Sequence, residues 1–214
     1  MSTEQRIEWL KERKSGLGGS EVSALLGMNP YLNIQELYDL KMGLKERQDI
    51  SNVDAVNYGI NAEPYLRELF KLDFPQYDVI SEPYKIYRND EYPFILGSFD
   101  GILEDKDTGE LSLLEIKTTS ILQSMKMESW NGRLPDNYFI QCLHYLLVSG
   151  FNQIILKAQL KRNYNGDIRL ETRHYTIKRT DHLDSIEYLK QAEIKFWNEN
   201  ILKGIRPNLV LPNI

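Results

Sequence analysis

Cysteine is almost missing: Cys142 is the only one in 214 residues. A single thiol cannot close an internal disulfide, carry an iron–sulfur cluster or build a cysteine zinc site. No apolar run is long enough to span a bilayer, so no membrane role is expected. The opening MSTEQRIEWLKERK lacks the apolar segment and small-residue cleavage site of a secretory signal, and a cytoplasmic protein is the simplest expectation. Positive charge is not in excess either, since the formal net charge is -5. That argues against a simple electrostatic nucleic-acid binder. It leaves room for an enzyme that gathers carboxylates at a metal site and confines its basic residues to one face. Repeats, low-complexity tracts and linkers are absent, so one domain over 1–214 is expected.

What is present is a change of hydrophobic period along the chain. SEVSALLGMNP offers Ser20 as an N-cap and Gly27 and Pro30 as stops. NIQELYDLKMG repeats the logic with Asn33, Glu36 and Gly43. A longer helix is expected over AEPYLRELFKLDF, with Pro64 in its first turn. The runs YDVISEPYKIYR, FILGSFDGIL and LSLLEIKTT then read as strands, the last two joined by the turn cluster EDKDTGE. PDNYFIQCLHYLLVSG reads as a helix opened by Pro135 and Asp136 and closed by Gly150. Two more strands, QIILKAQLKR and RLETRHYTIKR, flank an Asn-Gly hairpin signal at Asn165 and Gly166. A final amphipathic helix starts near Asp181 and Asp184 and ends at Gly204 and Pro207. The order implies an α/β (α+β) fold with one mixed sheet of about five strands flanked by helices.

Charge in the middle of this pattern calls for an explanation. Glu115 and Lys117 alternate with Leu114 and Ile116 in LSLLEIKTT, so the acid and the lysine share one strand face while the aliphatics share the other. The hairpin brings Asp100 of GSFDGI beside Glu115. Two adjacent carboxylates repel unless a cation lies between them, and Mg²⁺ suits oxygen ligands. Lys117 beside such a pair suits hydrolysis of a phosphodiester. The bland alternative is an ion pair on a solvated strand face. The basic clusters KERK, Lys45 with Arg47, and Lys161 with Arg162 read as solvated surface. His144, His174 and His182 do not form a spaced ligand set, and Trp9, Trp130 and Trp197 read as core or interface aromatics.

Five segments, in order, resemble the PD-(D/E)XK nuclease superfamily and, within it, the YqaJ/lambda-exonuclease branch of phage recombination nucleases. They are SGLGGSEVSALLGMNPY, YGINAEPYLRELF, GSFDGI, LLEIKTT and YFIQCLHYLLVSG. Phe99 stands where the family usually has Pro, and Leu143 where many relatives have a second Gln. The resemblance implies a restriction-endonuclease-like core. It implies Asp100, Glu115 and the Ile116 carbonyl as metal ligands, Lys117 as the catalytic lysine, Glu63 as an accessory acid at the metal, and Gln141 as the group orienting lysine or water. It also implies a 5′-phosphate pocket at Arg13 and Ser20, aided by the glycine-rich KSGLGG segment.

The function so implied is a Mg²⁺-dependent exonuclease, with Mn²⁺ able to substitute, acting 5′ to 3′ on linear double-stranded DNA. Its product would serve a single-strand annealing protein in a bacterial or phage-infected cell, and its assembly would be a homo-oligomer such as a trimeric ring. Two alternatives stand beside it: a structure-selective or restriction-type endonuclease of the same superfamily, and a catalytically inactive DNA-binding module.

Overall fold

A computed structural model describes residues 3–50, 52–121, 127–164 and 167–210. Helices α1 (Thr3–Lys14), α2 (Ile34–Lys41) and α3 (Asp54–Asp73) precede most of the strands, with a two-residue strand β1 (Leu17–Gly18) and a 3₁₀ turn (Val22–Leu26) between α1 and α2. Strands β2 (Tyr77–Ile80), β3 (Tyr87–Arg88), β4 (Ile95–Gly97), β5 (Gly101–Asp105) and β6 (Leu111–Ile121) follow. Helix α4 (Asp136–Ser149) leads to β7 (Gln153–Tyr164) and β8 (Asp167–Lys178), and α5 (Leu183–Lys195) runs on into a π-helical turn at Phe196–Ile201.

The main sheet has the order β2-β5-β6-β7-β8, and β1-β4-β3 form a smaller second sheet. Only β6 and β7 run parallel within the main sheet. A parallel pair needs a crossover, which α4 supplies. Alternation along β6 then divides the core. Leu114 and Ile116 pack with Leu66 and Phe70 of α3, while Leu113 joins the larger cluster under α4 and α5. Phe70 is fully buried and stacks on Phe74, ring centroids 4.6 Å apart.

Several expected boundaries move, for physical reasons. The helix expected from residue 62 begins at Asp54, so Pro64 sits inside it rather than in its first turn. Gly59 and Pro64 depress local helix propensity, but packing on β6 outweighs them: a Cβ at Gly59 would lie 2.9 Å from Thr118 Oγ1. The run YDVISEPYKIYR is two strands in different sheets. Between them Pro83 has no N–H for a ladder and Tyr84 takes a positive φ of 68°. FILGSFDGIL is likewise split, β4 going to the small sheet and β5 to the main one, with Asp100 in the kink.

The caps differ from each other. Asn33 and Glu36 form the expected capping box, and Gly150 ends α4 at φ 72°. Ser20 is not a cap: Glu21 occupies the cap position of the 3₁₀ turn without a side-chain bond, and Ser20 Oγ accepts from Arg13 instead. Neither Asp181 nor Asp184 caps α5, whose cap position is His182 after a 3₁₀ turn at Arg179–His182. Asn165 and Gly166 lie outside the described residues, although Tyr164 and Asp167 on either side pair as a hairpin requires. His144 is structural, as expected: it is fully buried, with its ring nitrogens 2.9 Å from Glu193 Oε1 and 2.7 Å from the Leu96 carbonyl.

Truncating Phe70 to alanine should cost about 3–5 kcal/mol, because its ring fills the contact between α3 and the sheet. Asn33→Ala should cost about 1 kcal/mol through the lost cap. Urea unfolding of the two variants checks both, and equal effects would contradict the assignment of Phe70 to the core.

Candidate active site

Asp100 occupies the kink between the two sheets because β4 and β5 cannot form one straight strand. A Cβ at Gly97 would come within 2.6 Å of the Phe99 ring, and one at Gly101 within 3.2 Å of Val79; glycine at both ends lets the chain turn tightly. The last β5–β6 pair is Gly101 with Leu114, so β6 is released from β5 at Glu115. The Ile116 N–H there donates to Asp100 Oδ2 at 2.7 Å. The Ile116 carbonyl belongs to the same released stretch of β6.

Glu115 and Lys117 share a face, as alternation requires, but the bland alternative of a solvated pair fails. Glu115 is 2% exposed. Lys117 donates to Glu115 Oε1, and Gln141 Nε2 donates to the same oxygen at 2.9 Å and to the Tyr145 hydroxyl at 3.0 Å. Gln141 is therefore buried inside the cluster rather than at a helix edge. Tyr145, one turn after Gln141, and Tyr138, whose ring lies 5.4 Å from the Lys117 ammonium, are members that charge patterning did not single out. Neither carries a charge, so the pattern that exposes Glu115 and Lys117 passes over both.

Glu63 comes from the middle of α3, half-exposed, and pairs with Arg67. Arg67 also donates to the Asp100 carbonyl at 2.8 Å, which ties α3 to the kink. Among the described residues, no three His, Cys, Asp or Glu side chains are gathered as a ready metal cage. Asp100 and Glu115 come together with Lys117 and Gln141, and Glu63 stands behind Arg67.

The charges explain this arrangement. Three carboxylates, Glu63, Asp100 and Glu115, face two cations, Lys117 and Arg67. One negative charge is in excess, and a buried site holds a proton instead. Burial and then the neighbouring Asp100 push Glu115 up to about 8. Burial raises Asp100 as well, against Lys117, the Ile116 N–H and Arg67. Burial lowers the Lys117 ammonium, but Glu115 and Asp100 outweigh it and hold that group above the ordinary lysine value. Asp100 and Glu115 are close enough to share a proton, while Glu115 Oε2 is buried with no hydrogen-bond donor. An orphaned carboxylate oxygen beside a second carboxyl fits a hard divalent cation.

A second charged cluster adjoins this one. Glu21 is buried and is met by Lys41 Nζ at 2.7 Å, by Arg47, and by the Gly18 N–H at 3.0 Å. Burial alone would raise its carboxyl, but Lys41, Arg47 and Arg13 outweigh that and hold it low. Arg13 donates to Ser20 Oγ at 3.1 Å and lies 4.6 Å over the Trp9 ring. Arg47, expected as plain surface charge, is half-exposed but belongs to this cluster. Gly19 presses on the Glu115 cluster, since a Cβ there would fall 2.4 Å from the Tyr145 ring.

The raised acid has a consequence for stability. The unfolded chain releases the Glu115 proton near 4.5, whereas the native chain keeps it to about 8. The native state binds more protons across that window, so this group's contribution falls as pH rises through it. Without divalent metal, the unfolding midpoint should drop between about pH 5 and 8, and Glu115→Gln should flatten that drop. Thermal scans across pH check it; an unchanged slope in Glu115→Gln would contradict it.

Residues 8–152 match the YqaJ-like viral recombinase domain family. The uncharacterized protein YqaJ of Bacillus subtilis (strain 168) is 32% identical over 205 residues, which is 95% of this chain and 59% of that protein. The chain thus spans about three fifths of the length of the curated relative it matches. Among solved structures, the alkaline exonuclease LHK-Exo from Laribacter hongkongensis superposes with a TM-score of 0.64 at 17% identity, covering 93% of this chain and 96% of that one. LHK-Exo in complex with dAMP gives 0.66 at 19%, with the same coverage. A phage-related exonuclease from Haemophilus somnus 129PT gives 0.59 at 13%, covering 88% of this chain and 96% of that one. At these identities the structural likeness establishes the shared mixed α/β fold. The matched span contains Asp100, Glu115, Lys117, Glu63 and Gln141, along with Arg13 and Ser20. The chain belongs to the YqaJ-like viral recombinase domain family.

Proposed function

We propose that residues 1–214 act as one nuclease domain, a Mg²⁺-dependent deoxyribonuclease that degrades one strand of linear duplex DNA from its 5′ end. Its role is to supply single strands for phage-type recombination through an annealing partner. The observation that carries this is the buried Asp100–Glu115 pair with Lys117 beside it and Glu115 Oε2 without a donor. The family match, and the fold shared with an alkaline exonuclease and a phage-related exonuclease, support the same chemistry.

Asp100, Glu115 and the Ile116 carbonyl would hold the cation, with Glu63, paired with Arg67, as the accessory acid. When bound, the ion supplies charge neutralisation and acidifies water. The protein's own groups do the rest. Gln141 fixes the Glu115 carboxylate through Oε1 and is itself braced on Tyr145. Lys117, held as an ammonium, stabilises the charge that develops on a phosphate oxygen or holds the attacking water. Arg13 and Ser20 would take the 5′-phosphate left after each cut, a task for which guanidinium geometry is suited. A homo-oligomeric ring, such as a trimer, would line a channel with the chain's cations and turn its acids outward.

Linear duplex labelled at either end should be digested from the 5′ end with Mg²⁺ or Mn²⁺ and spared in EDTA, while covalently closed circles should survive. Cutting of closed circles would instead mark an endonuclease. Glu115→Ala and Asp100→Ala should each lower cleavage more than roughly 100-fold, and Gln141→Ala by roughly 10–100-fold, the usual cost of losing a group that orients a ligand. Full activity of Glu115→Ala, or activity in EDTA, would overturn the metal mechanism. Arg13→Ala should erase the preference for 5′-phosphate over 5′-hydroxyl ends, and equal treatment of both ends by the wild type would remove the pocket.

A further inference from the structure

Beyond Lys117, β6 carries three hydroxyl side chains in succession, Thr118, Thr119 and Ser120. They line a narrow cleft with Ala55 and Tyr58 from the first turns of α3 and with Lys161 of β7. Lys161 is the register partner of Ser120, and its ammonium lies 4.6 Å from the Tyr58 ring centroid. The Tyr58 hydroxyl donates to Gln159 Oε1 at 2.5 Å, which fixes the ring. The absence of a side chain at Gly59 lets α3 close down on Thr118.

The charge at this place differs from that of its neighbours on the sheet. Among the described residues Lys117, Lys157 and Arg162 each pair with a carboxylate, whereas Lys161 rests only on an aromatic face. Glu171, on the next strand, is engaged by Arg162 and Arg173. A half-exposed ammonium beside the hydroxyls of Thr118 and Ser120, in a chain of net charge -5, is a patch of donors that suits a phosphate backbone.

The spacing also fits. A strand advances about 3.3 Å per residue, so Ser120 and its partner Lys161, on the α3 face of the sheet, stand about 10 Å along β6 from Lys117, whose side chain leaves the opposite face. Duplex DNA advances about 3.4 Å per nucleotide along one strand. We propose that this cleft is a backbone rest, in which Lys161 and the hydroxyls of Thr118 and Ser120, which alternation puts on its face of the sheet, hold the DNA phosphate two to three nucleotides from the scissile bond. Tyr58 positions Lys161 for that contact. The inference rests on the nuclease function proposed above, and it adds a sequence-independent contact to that site.

The test scans a neutral methylphosphonate linkage, one position at a time, along both sides of the cleavage site of a linear duplex. With wild type, cleavage should fall about tenfold when the neutral linkage is two or three nucleotides from the cut on one side, as expected for loss of a charge-assisted contact. Lys161→Met keeps the aliphatic stem on Tyr58 and removes the charge. It should lose about tenfold on natural DNA, show no further loss at that linkage, and lower the salt slope of binding by about 1. Tyr58→Leu should weaken the same linkage effect without shifting its position. A Lys161→Met protein equal to wild type, or still sensitive to the same linkage, overturns the backbone rest while leaving the nuclease intact. Failure of the wild type to cut unmodified duplex would overturn the nuclease function itself.

Discussion

Glu115 sits on the central parallel strand at 2% exposure, and the rest of the site exists to keep a carboxylate tolerable there. Water is excluded, so each oxygen must find a partner within the protein or gain a proton. Oε1 has two donors, Lys117 and Gln141. Oε2 has none, and the neighbouring Asp100 is itself a buried acid. A core built for stability alone would place an aliphatic residue at that position. The unpaired oxygen and the proton held to about pH 8 are what the proposed cation would satisfy and displace.

The fold delivers the parts of this cluster from four directions. Splitting the chain at residues 97–101 between two sheets puts Asp100 at the free edge of β6 just where β5 lets go. The crossover through α4 brings Gln141 and Tyr145 over one face of the strand. Helix α3, anchored by Leu66 and Phe70 under Leu114 and Ile116, brings Glu63 and Arg67 to the kink. The N-terminal glycines let the Arg13 and Glu21 cluster press against Tyr145. The same β6 carries Glu115 and Lys117 on one face and Thr118 and Ser120 on the other.

The charged face of β6 was readable before the fold because strand alternation is a local property: residues 115 and 117 on one side and 114 and 116 on the other need only a period of two. The capping box at Asn33 and the stop at Gly150 were readable for the same reason. Failures came where distant packing decides. Pro64 looked like a helix start, but contact with β6 carries α3 back to Asp54. Ser20 looked like a cap, but Arg13 claims its hydroxyl. Tyr138 and Arg47 carry no motif by themselves and acquire meaning only from neighbours far away in the chain, Lys117 and Glu21. The sheet switch at Asp100 was hidden because both halves of FILGSFDGIL are good strand formers, and only pairing partners distinguish them.

Cation binding at Glu115 should be inseparable from proton release, since ligands must be deprotonated to bind. Calorimetric titration of Mg²⁺ at pH 7 in buffers of different ionisation enthalpy measures this directly. The account predicts close to one proton released per ion bound by the wild type, because the proton held to about pH 8 must leave, and weak binding with no release in Glu115→Gln. Mg²⁺ binding that releases no proton, or that is unchanged in Glu115→Gln, would contradict it.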